Sequence, residues 1–139
     1  VRVKAKPAKP VKAKVPPKVE LSPAAWYSEG LARKKEKKWP EAIAAFQKCV
    51  DLDKDHSSAW FQLGYAYSEQ NGFSCEASYE PYTRCIALDP SNTAARWNLS
   101  LILENQKNDI PGAVKLVEEC VRLGRANCED RLARLRAKL

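Results

Sequence analysis

Chemistry in this chain of 139 residues would have to come from very few side chains. The single histidine, His56, stands between Asp55 and Ser57, with no second imidazole to share a metal. Its place in a junction between helical segments fits a helix start better than catalysis. Asp51, Asp53 and Asp55 alternate as in a calcium loop, but the glycine and terminal glutamate of such a loop are missing. The five cysteines (Cys49, Cys75, Cys85, Cys120, Cys128) contain no Cys-x2-Cys pair, so a zinc site is unsupported. A glycine-rich phosphate loop and a nucleophile elbow are also lacking. The residues predict no enzyme, no metal and no cofactor.

The elements that hold these side chains are helices. In Ser57–Gln70, SSAWFQLGYAYSEQ, the residues Trp60, Leu63, Gly64 and Tyr67 fall at i, i+3, i+4 and i+7, one helical face. A glycine on that face costs about 1 kcal/mol of propensity against alanine, so a second helix is expected to lie over Gly64 too closely for a side chain. Trp26 and Gly30 stand in the same relation 34 residues upstream. Downstream, RWNLS (Arg96–Ser100) repeats the pattern with the tryptophan one place later, at Trp97, and Ser100 for glycine. Each copy is followed by a second amphipathic segment whose anchors align as Phe46/Tyr82/Val117 and Cys49/Cys85/Cys120. Periods of this length mark stacked helix–turn–helix units.

These residues resemble the tetratricopeptide repeat (TPR), with its Trp-x2-Leu-Gly-x2-Tyr first helix, Ala-x3-Phe second helix and closing proline. The second copy carries Trp60, Leu63, Gly64, Tyr67, Tyr82 and Pro90. The first carries Trp26, Gly30, Ala42 and Phe46, and the third Leu99, Ser100, Ala113 and Val117. Departures are Glu29 for the leucine, Arg33 for the tyrosine, and Lys54 and Arg125 for the proline. The resemblance implies an all-α, right-handed solenoid of three units, at about 23–56, 57–92 and 93–126, with a cap helix over 127–139. Cys49, Cys85 and Cys120 fill the small core position after the phenylalanine.

Prolines at Pro40 and Pro111 mark two helix starts. Asn127, with Asp130 three residues later, reads as the N-cap of the last helix. That helix puts Cys128, Leu132, Leu135 and Leu139 in one stripe, with Arg131, Arg134, Arg136 and Lys138 mostly off it. It is read as a solvating cap, the rival being a basic amphipathic helix for a membrane or acidic partner. The second unit is two residues longer than the first, 21 against 19 between its glycine and cysteine. The excess falls in 71–81, where Asn71–Gly72 predicts a turn and Pro81 would kink a helix running through it. Reduced cysteines are expected, with a Cys120–Cys128 disulfide as the alternative.

In TPR arrays the first helices line an inner groove. The resemblance places Tyr27, Leu31 and Lys34 there, then Phe61, Gln62, Tyr65 and Glu69, then Trp97, Asn98, Leu101 and Asn105. Tyr27, Phe61 and Trp97 share one equivalent position and are expected to form a ladder, and large aromatics are preferred binding hot spots. The positions that clamp a terminal carboxylate in chaperone-tail binders here hold Tyr27, Leu31, Gln62, Ala94 and Asn98, so that clamp is absent. An apolar or aromatic partner segment is therefore expected. The cationic run Arg33–Lys38 suits a helix C-terminus, and would also favour acidic flanks on a partner.

The net charge of +7 is concentrated at one end. Residues 1–20 carry Arg2, Lys4, Lys6, Lys9, Lys12, Lys14 and Lys18 against Glu20, leaving +1 for the other 119 residues. With four prolines and no aromatic, residues 1–22 predict an extended tail with no buried core. The absence of methionine, even at position 1, reads as processing or excision from a longer chain. The opening VRVKA resembles the end of an algal plastid transit peptide, which implies an organelle; a bacterial envelope or cytoplasmic protein is the alternative. No apolar run approaches the length of a membrane span.

Two functions follow. One is a non-enzymatic adaptor or assembly factor that holds a partner protein in the groove. The other is a structural subunit of a large complex, such as a ribonucleoprotein, with the tail on RNA or an acidic neighbour. The related pentatricopeptide repeat, an RNA reader, shares the spacing, but the Trp…Gly pattern argues against it.

Overall fold

A computed structural model describes residues 19–139. The basic tail residues Arg2 to Lys18 lie outside the described residues. Seven α-helices follow one another: α1 (Pro23–Lys35), α2 (Trp39–Leu52), α3 (Ser57–Asn71), α4 (Tyr79–Leu88), α5 (Thr93–Asn105), α6 (Ile110–Arg122) and α7 (Cys128–Arg136). A short 3-10 turn, Glu76–Ser78, precedes α4, and no strand occurs among the described residues.

The helix starts are chemically specified. Ser22 Oγ, His56 Nδ1 and Asn92 Oδ1 each accept a hydrogen bond from the backbone N–H three residues on, at 3.2, 3.0 and 2.9 Å. They cap α1, α3 and α5, the first helix of each unit. His56 is thus a cap, as its junction position predicted. Asp53 and Asp89 close the turns before α3 and α5 by accepting from the backbone N–H two residues on. Asn127 departs from expectation. It stands before α7 but lies in the left-handed region at φ 66°, and its side chain makes no cap bond. Side-chain capping requires an extended residue, which this backbone is not.

The first two helix pairs each close over a glycine. A Cβ built on Gly30 would lie 2.5 Å from Phe46 Cε1, and one on Gly64 would lie 2.8 Å from Tyr82 Cε1. Phe46, Tyr82 and Val117 are fully buried, as are Cys49, Cys85 and Cys120 beneath them. Burying such a side chain contributes about 1.5–3 kcal/mol. The core consists of three successive layers. The first joins α2 to α3 under Trp26 and Trp39; the second joins α4 to α5 under Trp60 and Phe61; the third joins α6 to α7 under Trp97.

The longer second unit ends α3 at Asn71 and spends its extra residues on the loop and 3-10 turn before α4. Pro81 does not kink a helix. It sits buried in the first turn of α4, where a missing N–H breaks no helical bond. In α7 the stripe Cys128, Leu132, Leu135 is buried, but Leu139, beyond the helix end, is 71% exposed. All five thiols are free. Burial pushes Cys85 up to about 11 and, with Cys128 beside it, Cys120 up to about 12, so both remain protonated, inert core groups.

Candidate partner-binding groove

Of the residues placed in the groove from sequence, Leu31, Lys34, Tyr65 and Glu69 come together. With Lys35, Lys37 and Trp39 they line an open cleft of about 550 Å³. The second half of α1 forms one wall, α3 the other, and the α1–α2 turn closes one end. Tyr65 is at the centre. Its ring lies 6.2 Å from Trp39 and 6.2 Å from Phe73, both edge-on, and 6.3 Å from Phe61, which is stacked at 29°. Such arrangements suit the ring quadrupole. The Lys34 ammonium lies 4.7 Å over the same ring and donates to Gln62 Oε1 at 2.9 Å, which fixes it against the wall. Tyr65 has a raised pKa, first because the Glu69 carboxylate favours the protonated phenol and then because of partial burial. Leu31 is 36% exposed and Phe73 45% exposed, so apolar surface is presented.

The other expected groove residues are engaged within the protein. Tyr27 packs against Phe46 and His56, with ring centres 5.9 and 4.8 Å apart. Phe61 also meets Tyr82 at 6.0 Å. Trp97 lies under two guanidinium groups, Arg125 at 5.4 Å and Arg131 at 5.3 Å. No pair among Tyr27, Phe61 and Trp97 is in ring contact among the described residues. Asn98 donates to the Tyr82 hydroxyl at 3.1 Å and Asn105 to Ser74 Oγ at 2.9 Å. Leu101 is half-buried.

Trp39 and Phe73 were missed from the sequence. Trp39 precedes Pro40 and reads as a helix start; Phe73 lies in the irregular loop, where the repeat pattern assigns no position. Their signal was aromatic type alone. Between α3 and α4 runs a buried polar network, equally unsignalled. Ser68 and Ser78 both donate to the Gly64 carbonyl, at 2.9 and 2.8 Å. The Ser68 hydroxyl is also 3.0 Å from the Tyr82 hydroxyl, and Cys75 Sγ is 3.0 Å from Ser78 Oγ. Burial drives the Tyr82 phenol up to about 12, against the opposing bonds from Ser68 and Asn98. Among the described residues no cluster of His, Cys, Asp or Glu suits a metal ion, and no helix is long and apolar enough to cross a membrane.

Residues 23–56 match the tetratricopeptide repeat family. Paired helices closing on a small residue continue this unit through α6. The chain folds as a TPR array. It is similar, at 32% identity over 77 residues, to the peroxisomal targeting signal receptor of Kluyveromyces lactis. That match covers 52% of this chain and only 12% of the receptor. Among solved structures, the first TPR domain of Spaghetti (RPAP3) bound to the HSP90 peptide SRMEEVD superposes with a TM-score of 0.71 at 20% identity. It covers 84% of this chain and 92% of its own. The Yersinia enterocolitica type III secretion chaperone SycD, in complex with a peptide of the translocator YopD, gives 0.68 at 16% identity, covering 81% and 91%.

Proposed function

We propose that this TPR chain is a non-enzymatic adaptor or assembly factor that holds a segment of a partner protein in the cleft between α1 and α3. One observation carries the reading: an aromatic cluster centred on Tyr65 floors an open cleft, flanked by exposed Leu31 and Phe73. Exposed aromatic and aliphatic groups with rigid backing are what binding hot spots are made of. The two peptide-bound TPR structures above support the same reading. The C-terminal half of the expected groove, with Trp97, Asn98 and Asn105 engaged internally, shapes the array and leaves contact with the partner to the N-terminal half.

The test is affinity capture with the intact chain, a Leu31→Asp/Tyr65→Ala double variant, and Leu88→Asp as a control at an exposed site off the cleft. The cleft variant should lose the partners while the control keeps them. Equal recovery by all three would end the reading. The basic residues 2–18 support a second, separable contact with RNA or an acidic neighbour. A steep salt dependence of RNA binding, lost on removing residues 1–20, is the result expected of that contact.

A further inference from the structure

The cationic run Arg33–Lys38 sorts by direction in the structure. Arg33 pairs with Glu29 at 2.7 Å and with Glu36 at 3.2 Å, and Lys38 pairs with Glu36 at 3.2 Å. Lys34, Lys35 and Lys37 instead line the cleft, and none of them forms a salt bridge within 4.0 Å among the described residues. The cleft wall also carries one acid, Glu69, which raises the pKa of the Tyr65 phenol and pairs with none of these lysines among the described residues. A helix C-terminus favours cations in its last turn, which accounts for Lys34 and Lys35. It does not account for Lys37, which holds a left-handed backbone at φ 57°. The corresponding turn of the third unit uses Asn108 at φ 50°, a residue suited to that region. A lysine there is strained, and its position on the cleft rim is what it supplies in exchange.

Resting on the adaptor reading above, we infer that the cleft recognises an internal segment of a partner protein in which carboxylates flank an aromatic or branched aliphatic side chain. The apolar group seats on Leu31, Trp39 and Tyr65. The carboxylates meet Lys34, Lys35 and Lys37, three cations without a carboxylate partner among the described residues, around an aromatic floor. Because Lys34 and Lys35 sit along the α1 wall and only Lys37 on the turn that closes one end, no free chain terminus is required.

The experiment is selection from a random peptide library, displayed so that neither peptide end is free, against the full chain. Three proteins are compared: wild type, Lys34→Gln/Lys35→Gln/Lys37→Gln, and Tyr65→Ala/Phe73→Ala, each checked for helical circular dichroism. Wild type should enrich peptides with Asp or Glu beside Phe, Trp, Tyr, Leu or Ile. As capped synthetic peptides these should bind the lysine variant about tenfold more weakly, the size of three partly exposed ion pairs. Their affinity for wild type should fall with added salt. Enrichment of neutral or basic apolar peptides would overturn the acidic preference and leave the adaptor reading standing. No enrichment, or enrichment untouched by Tyr65→Ala/Phe73→Ala, would overturn both. Single-stranded oligo(dT) displacing the selected peptides at equal or lower concentration would assign the lysines to nucleic acid and also overturn the inference.

Discussion

At Gly30 and Gly64 the packing leaves no room for a methyl group, because ring carbons of Phe46 and Tyr82 already stand within 3 Å of where it would go. Gly64→Ala should therefore destabilise by about 1 kcal/mol or more, even though alanine recovers about 1 kcal/mol of helix propensity. Gly64→Leu should cost more than about 3 kcal/mol; urea unfolding measures both. Tyr82 is where phenylalanine is usual, and its hydroxyl contacts Ser68 and Asn98 in a fully buried site. Tyr82→Phe should cost about 1–3 kcal/mol by leaving the Asn98 amide without its acceptor. The same substitution has a pH signature. The folded pKa of about 12 exceeds the ordinary 10.0, so the unfolded chain loses this proton first. The resulting stability is complete below pH 10.0, is lost as pH rises toward about 12, and should be missing from the alkaline limb of Tyr82→Phe. Lys37→Asn should relieve the left-handed strain and stabilise by about 1 kcal/mol in the same assay, while weakening acidic peptides.

At the scale of elements, α7 is held by more than its apolar stripe. Arg131, 11% exposed, bonds Glu104 at 2.9 Å and Ser100 Oγ at 3.0 Å, and its guanidinium faces Trp97. Arg131→Gln leaves Glu104 with Lys138 alone and removes the bond to Ser100, so it should destabilise by about 1.5–3 kcal/mol. Burial alone would raise the Glu104 pKa, but bonds from Lys138 and Arg131 outweigh it and the net shift is downward. A depressed folded pKa stabilises above the ordinary carboxyl range and is lost on acidification. The gap between wild type and Glu104→Gln should accordingly close as pH falls below the ordinary 4.5, in pH-dependent thermal melts. The helices, their pairing and their glycine contacts were legible because period and residue size encode them directly. Substitutions that compensate one another across space were not. Glu29 and Arg33 depart from the repeat pattern separately in sequence, yet pair with each other on α1. Arg96 replaces a tryptophan, but its Nε donates to the Pro90 carbonyl at 2.9 Å, as Trp60 Nε1 does to the Lys54 carbonyl at 2.8 Å. Arg131 looked solvent-facing by helical spacing, because its partner lies on another helix. Half of the expected groove stayed hidden for the same reason: inner-face position is readable from a repeat register, whereas engagement by Tyr82 or Ser74 depends on neighbours distant in sequence.

As a whole molecule the array has layers that touch only their neighbours, so its stability is a chain of local terms. Removing 127–139 should bare Val114, Val117 and Trp97 and cost the third unit its order, while leaving the first pair of helices protected; hydrogen exchange by mass spectrometry would resolve the two ends. Within this nearest-neighbour layout the loop of the second unit adds a contact from outside the helices. Ser74 accepts from Asn105, and Glu76 pairs with Lys107, whose ammonium also faces Tyr79 at 5.1 Å. Two surplus residues thus act as an outrigger, bracing the far tip of α5 from the preceding unit. Swapping this segment for a standard-length turn would leave every helix intact but introduce a pivot, letting the last unit swing and altering the bend of the whole ribbon.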